Sequence, residues 1–426
     1  MSPTQTRQPS SCCDDYARTS RRGFLRGAAV VGGAAAVTAV HGTAFTETSY
    51  AADGSAPQVL VVVSLRGACD GLSLVVPHAD PVYYQARPRI AVPRDQLLAR
   101  DAMFGLHPAL APLKPLWDAG KMAAVHATGL PSPNRSHFSA MEELEDADPG
   151  SPARVGWLNR LVGRDGGAGS PVEAIQYGGT PATSMSGPQP VLVAPGIDGV
   201  RLAGPDDATG SANRRRSLQT LWAGSGSTLG TGFASTLEVV DEFAPVRAAA
   251  QGPANGAVYP DSDLARALKD TARTIRADVG AEIITVDHGS WDHHTWIGTT
   301  ADGNLKRRAD ELAGSLAAFF TDLGPLASKV TLVTVSEFGR RVAENAEQGL
   351  DHGYGNVMFL IGAGVKGGRY YGRWPGLTGT SDADLLVTTD YRSVLSEVVT
   401  KRFGASSAQV FPGFQPDTSL NAIAAV

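Results

Sequence analysis

Five side chains able to ligate a metal fall within eight residues, Asp287-His288-Gly289-Ser290-Trp291-Asp292-His293-His294. Imidazole and carboxylate groups at this density suit a hard or borderline divalent cation. Three of the nine histidines of the chain sit here, directly after the apolar run Ile283-Ile284-Thr285-Val286. The plainer alternative is a polar loop whose histidines bond only their neighbours.

Four other stretches carry groups of the same kind. Asp351-His352 precedes the apolar run Val357 to Ile361 and adds a second Asp-His pair to the case for a metal. Asp70 stands among glycines after a first apolar run, as a metal-reaching carboxylate or as a turn residue that caps its own backbone. Arg135-Ser136-His137 precedes an amphipathic helix. Ser136 there is a helix N-cap, a nucleophile in the positive field of the helix start, or both, and Arg135 and His137 are candidates for holding an anion or moving protons. Ser336-Glu337-Phe338-Gly339-Arg340 follows another apolar run, with Glu337 a candidate ligand and Arg340 a candidate anion clamp, or else a salt-bridged turn. Gly362 to Gly368 lacks the Gly-Lys-Ser/Thr ending of a phosphate loop and reads as a glycine-rich turn.

These groups need a frame that brings loops together. Val59 to Val63 is short, β-branched and apolar throughout, as is a strand buried on both faces of a parallel sheet. Similar runs recur at 123–125, 283–286, 330–335 and 357–361, and helical patterns lie at 138–145, 264–278, 304–323 and 391–403. Strands alternating with longer helices predict an α/β fold, a three-layer α/β/α sandwich with a mostly parallel central sheet. In such sheets ligands gather where the strands end. The stretch from about 163 to 256 is rich in Gly, Ser, Pro and Thr and reads as an insertion with flexible loops.

The first 51 residues read as a leader. Ser20-Arg21-Arg22-Gly23-Phe24-Leu25 is a twin-arginine export motif, the Gly/Ala-rich run from Gly27 to Val40 is too short to be a comfortable membrane span, and Ser49-Tyr50-Ala51 offers small residues for cleavage. The expected partner in export is the twin-arginine translocation machinery. The expected destination is the periplasm, the cell surface or the outside, with no integral membrane span once the leader is removed. Cys69 is then the only remaining cysteine, with small apolar neighbours, and reads as a packed thiol rather than a nucleophile. The net charge of −5 becomes about −7 without the leader, whose five Arg outweigh three acids. That acidity argues against nucleic acid as a main partner. Arg214-Arg215-Arg216 reads as a solvated helix face.

From Ser20 to about Gly404 the chain resembles the exported bacterial proteins of the domain-of-unknown-function 1501 family. The carrying residues are Leu65-Arg66-Gly67, Asp70-Gly71, Arg135-Ser136-His137-Phe138, Ser336-Glu337-Phe338-Gly339-Arg340 and Asp351-His352-Gly353. That family is similar to the alkaline phosphatase and sulfatase superfamily. The resemblance implies an alkaline phosphatase-like core spanning residues 52–426, usually two divalent metals, and cleavage of phosphate or sulfate esters. It implies Asp70 as the ligand after the first strand, Asp287 with His293 or His294 as an Asp-His ligand pair, and His352 as the last His of that site. Glu337 falls near or on a second metal, Ser136 falls near the nucleophile, and Asp390 falls at a helix start with a structural role. The metal expected is zinc, manganese or calcium, and the substrate an anionic small molecule or polymer. Phe338 stands where sulfatases have a ligand, and no Cys lies near Pro131, so formylglycine chemistry is not expected. The other reading of such a degenerate site is a non-catalytic binding protein.

Overall fold

Val59–Leu65 is buried at every one of its seven residues because helices cover both of its faces. Val59, Val61, Val63 and Leu65 pack into one core with Leu264, Leu268, Leu312 and Phe319. Leu60 and Val62 point the other way, into a core with Leu144, Val394 and Val398. A strand buried on both sides has no polar face, which is why its sequence is an unbroken apolar run. Each such fully buried Val or Leu contributes roughly 1.5–3 kcal/mol of transfer free energy.

The computed structural model describes residues 39–40, 55–163, 170–202, 208–222 and 228–426. The export motif at 20–25 and the cleavage residues 49–51 lie outside them. The main sheet is carried by β1 (Val59–Leu65), β2 (Met122–Gly129), β3 (Ala174–Tyr177), β4 (Leu192–Ala194), β5 (Ile283–His288), β6 (Val330–Val335) and β7 (Asn356–Gly362). Their spatial order is β4-β3-β5-β1-β6-β7-β2, with short strands Ala39–Val40 beyond β4 and Arg369–Tyr371 and Thr389–Asp390 on β2. The central strand β1 pairs in parallel with β5, Leu60 opposite Ile283, and with β6, Leu60 opposite Thr331. Strand β7 runs antiparallel to both of its neighbours, β6 and β2.

The helices that flank this sheet are α1 (His137–Asp146), α2 (Asp263–Ala277), α3 (Asn304–Leu323) and α4 (Tyr391–Phe403). In α3 the buried positions Leu305, Ala309, Leu312, Leu316, Phe319 and Leu323 recur at the spacing of a single helical face. Ser262 caps α2 by accepting the Ala265 N–H at 3.1 Å, and Asp390 caps α4 by accepting the Arg392 N–H at 2.9 Å. Asp390 thus has the structural role expected of it. The fold is the three-layer α/β/α sandwich with a mostly parallel sheet that the sequence predicts.

The segment from 163 to 256 differs from a surface insertion in its described part, because β3 and β4 lie within it and pair in parallel with β5 and with each other. The strand that Val191-Leu192-Val193 makes possible is present as β4, and the Gly and Pro content of the segment reflects the loops around two short strands. Residues Arg201–Leu221 form a unit distinct from the rest, and most of it is the helix Ala208–Trp222, which contains Arg214–Arg216.

The topology decides which loops meet. The parallel strands β1, β5 and β6 all end at one edge of the sheet. Strand β7, running the other way, begins there. The segments after Leu65, His288 and Val335 and the one before Asn356 therefore share one edge.

Candidate metal centre

Strand β6 ends at Val335, and Glu337 follows it almost fully buried. Its Oε1 accepts the Gly67 N–H at 2.8 Å and lies 2.8 Å from Nδ1 of His137, and its Oε2 lies 3.1 Å from the Ser336 hydroxyl. Burial alone would raise this carboxyl. The bond to His137 and the backbone N–H groups outweigh burial and hold it below its usual value. An ionised carboxylate only accepts, so His137 donates to it from Nδ1, and Nε2 is the nitrogen left to face outward.

His352, in the loop before β7, is held the same way. Its Nδ1 lies 2.9 Å from the backbone carbonyl of Arg135, which again leaves Nε2 free. The two Nε2 atoms stand 3.0 Å apart. Two lone pairs at that separation repel unless positive charge lies between or beside them. Asp292 supplies a third acceptor, with Oδ1 at 3.6 Å from His137 Nε2 and 3.5 Å from His352 Nε2. Burial pushes the Asp292 carboxyl up, but His137, His352 and Arg340 together hold it far below the usual carboxylate range. Hydrogen bonding first to Asp292 and then to Glu337 pushes His137 up to about 9. The pocket attracts positive charge, which a proton or a cation can supply.

The trio fits a metal. The ligand atoms of His137, Asp292 and His352 form a triangle with edges of 3.0, 3.5 and 3.6 Å. A face of a tetrahedral zinc site with bonds of 2.0–2.1 Å has edges of about 3.3 Å. Three protein ligands with one open position is the arrangement of catalytic rather than structural zinc. The three side chains are 27 %, 47 % and 25 % exposed, so the trio is reachable from solvent. His294 adjoins the trio, its Nε2 at 3.0 Å from Asp292 Oδ1 and 2.9 Å from His352 Nε2, with its Nδ1 at 3.3 Å from Asp351 Oδ1.

Close packing of the loops makes this convergence possible. A Cβ on Gly67, which has φ +108°, would stand 2.7 Å from the Asp292 backbone nitrogen, so only glycine allows the two loops to touch. Trp291 is fully buried and donates its indole N–H to His288 Nδ1 at 3.3 Å, pinning the turn that leads to Asp292. The Phe338 ring packs under both imidazoles, its centroid 4.9 Å from that of His137 and 5.0 Å from that of His352.

Several expected site residues lie elsewhere or act differently. Asp70 is not near the trio's ligand atoms. Its two oxygens are taken by Arg87, at 2.6 Å and 3.0 Å, in a fully buried pair. Asp287 is still within β5 and pairs with Arg66 at 2.7 Å, which also binds Glu145 at 2.7 Å. His293 is buried apart from the trio, its Nδ1 has no hydrogen-bond partner, and burial pushes it down to about 4. Glu337 lies outside the trio, and its oxygens are taken by His137, the Gly67 N–H and the Ser336 hydroxyl. Arg340 is no anion clamp, because its donors are committed to Ala68, Gly67 and Leu350 carbonyls and to Asp292. Arg135 pairs with Asp384. Ser136 is exposed between Arg135 and His137, and its hydroxyl makes no capping bond to α1. Cys69 is buried, and burial pushes its thiol up to about 12, consistent with an inert packed group.

Two members of the trio are not among the metal candidates that the sequence offers: Asp292 lies in the conspicuous stretch without standing out from its neighbours, and His137 reads there as a group that holds an anion or moves protons. The signal for Asp292 was its position: Asp287 ends a strand, whereas Asp292 lies past a Gly289-Ser290 turn, with Ser290 at φ +67°, that swings it over the sheet edge.

Comparison with known proteins places these residues in context. Residues 213–407 match the family model described as "Protein of unknown function (DUF1501)", a stretch that includes Asp292, Glu337, Arg340 and His352. Of the motifs that carry the resemblance, Ser336–Arg340 and Asp351–Gly353 lie within the matched stretch, and those at 65–71 and 135–138 lie outside it. A search of curated protein sequences finds no match. Among solved structures the chain is similar to the lipoteichoic acid synthase LtaP from Listeria monocytogenes, at 9 % identity and TM-score 0.35, with 87 % of this chain and 77 % of that one covered. It is also similar to the phosphonate monoester hydrolase of Agrobacterium radiobacter, at 12 % identity and TM-score 0.29, with 85 % and 78 % covered.

Proposed function

We propose that this chain, a DUF1501 sequence over residues 213–407, is an exported metal-dependent hydrolase of phosphate or sulfate esters. The observation that carries the reading is the convergence of His137 Nε2, His352 Nε2 and Asp292 Oδ1, with the exposed Ser136 next to His137 in the chain. Two imidazoles and one carboxylate suit zinc or manganese better than calcium, which prefers oxygen. When bound, such a cation supplies Lewis acidity toward an ester oxygen.

The residues of the chain divide the remaining work. His137, His352 and Asp292 hold the cation. Glu337 and the Arg135 carbonyl fix the two imidazoles in the tautomer that binds it. Ser136, next to His137 and at the start of α1, is the candidate for the attacking hydroxyl. His294, 42 % exposed beside the trio, is placed to move a proton. Export rests on the twin-arginine motif at Ser20–Leu25. Among the described residues no helix is long and apolar enough to cross a membrane.

A second reading, a non-catalytic binding protein, has its own support. Arg340 and Arg135, the expected anion-binding cations, are both engaged by carboxylates of the protein. The discriminating experiment screens aryl phosphates, phosphodiesters and aryl sulfates with zinc, manganese or calcium added. Turnover that stops on chelation, returns with metal and disappears in Ser136→Ala supports the hydrolase. Tight ligand binding without turnover supports the alternative.

A further inference from the structure

We propose that this centre takes a single cation, because Arg340 already supplies the second positive charge. The inference rests on the metal reading above and concerns what surrounds the trio. Arg340 is 1 % exposed. Its Nη2 lies 2.5 Å from Asp292 Oδ1, the same oxygen that faces His137 and His352. Its Nη1 lies 3.4 Å from His294 Nε2.

The guanidinium cannot vacate this position easily. Nε donates to the Ala68 carbonyl at 2.7 Å, Nη1 to Leu350 at 3.0 Å, and Nη2 to Gly67 at 2.6 Å. These carbonyls belong to the loops after β1 and before β7, so moving Arg340 would open the floor of the site. It cannot shed its charge either, since a guanidinium stays protonated in proteins. A second divalent ion on the Asp292 side would face that fixed charge at a few ångströms.

The carboxylates that the sequence offers as metal ligands are also committed. Both oxygens of Asp70 bind Arg87, Asp287 binds Arg66, and Glu337 is shared among His137, Gly67 and Ser336. His294 Nε2 has Arg340 as a donor in reach, which explains why it adjoins the trio without completing it. Asp292 therefore bridges one exchangeable cation and one built-in cation.

The test counts zinc by equilibrium dialysis and elemental analysis on the folded, full-length protein, comparing wild type with Asp292→Ala. The expected result is the loss of one equivalent per chain. Loss of two would overturn the single-cation inference while leaving the metal reading intact. Loss of none would remove both. If Asp292→Ala fails to fold, His352→Ala serves the same comparison. Arg340→Gln, checked for folding by its thermal transition, should bind zinc about tenfold more tightly, because a like charge beside the ion is removed. Equal or weaker binding by folded Arg340→Gln would reduce Arg340 to a brace for Asp292 and overturn its role as the second charge.

Discussion

His137 and His352 turn their Nε2 atoms toward each other at 3.0 Å, each with its Nδ1 held by an acceptor. Neither ring can relieve this approach by switching tautomer without giving up a bond to Glu337 Oε1 or to the Arg135 carbonyl. His352→Ala should therefore abolish stoichiometric zinc binding. Elemental analysis of the purified variant, showing the same metal content as wild type, would rule His352 out as a ligand.

Glu337 acts through His137. Glu337→Gln keeps the volume but loses the charge that fixes the imidazole, so metal affinity should fall about 10–100-fold. Competition with a chromophoric chelator measures this. An unchanged affinity would mean that Glu337 serves only to anchor Gly67.

Both oxygens of Asp70 bind Arg87, so its loss should cost stability and leave metal binding intact. Asp70→Ala leaves the Arg87 guanidinium, fully buried, without its carboxylate. Breaking a buried pair in this way costs about 3–5 kcal/mol. The thermal transition should fall markedly, while the folded fraction retains the wild-type zinc count. A variant with normal stability and lost zinc would reverse the assignment.

Acid should destabilise the fold through two histidines remote from the trio. Burial pushes His107 and His126 down to about 4 each. His107 Nδ1 accepts the Ala109 N–H at 3.0 Å, and His126 packs against Phe104 with ring centroids 4.4 Å apart. The unfolded chain, with ordinary values near 6.5, binds these protons first. Their contribution is thus complete above pH 6.5 and is lost as pH falls toward 4, at about 1.4 kcal/mol per pH unit for each. Thermal denaturation between pH 7 and 4.5, with a chelator present, should show this slope, and His126→Leu should flatten it. A slope unaltered by His126→Leu would discount that histidine.

The helices were legible where one apolar face runs the length of the element. The apolar face at 304–323 matches α3, residue for residue, and the bounds 391–403 match α4 although its buried positions include Ser393, Ser396 and Arg402. The sheet was legible because burial on both faces leaves unbroken β-branched runs. The site was legible only to the level of its loops. Asp287 and Asp292 look alike in sequence, but one ends a strand and pairs with Arg66, and the other lies past a turn. Asp70 was misread because its partner, Arg87, lies 17 residues on, in a stretch with no distinctive pattern. Glu337 could not be told from a ligand, because ligands and the groups that orient them are the same residue types.

Phe338 has a consequence for direction of approach. Its buried ring, parallel to neither imidazole but seated below both, waterproofs the inner side of the pair. Anything that reaches these histidines must come from the outer hemisphere, past Asp292 and the start of the helix at Ser136. A replacement that leaves a gap there, such as Phe338→Ala, would admit solvent from beneath and turn a one-sided entrance into a passage.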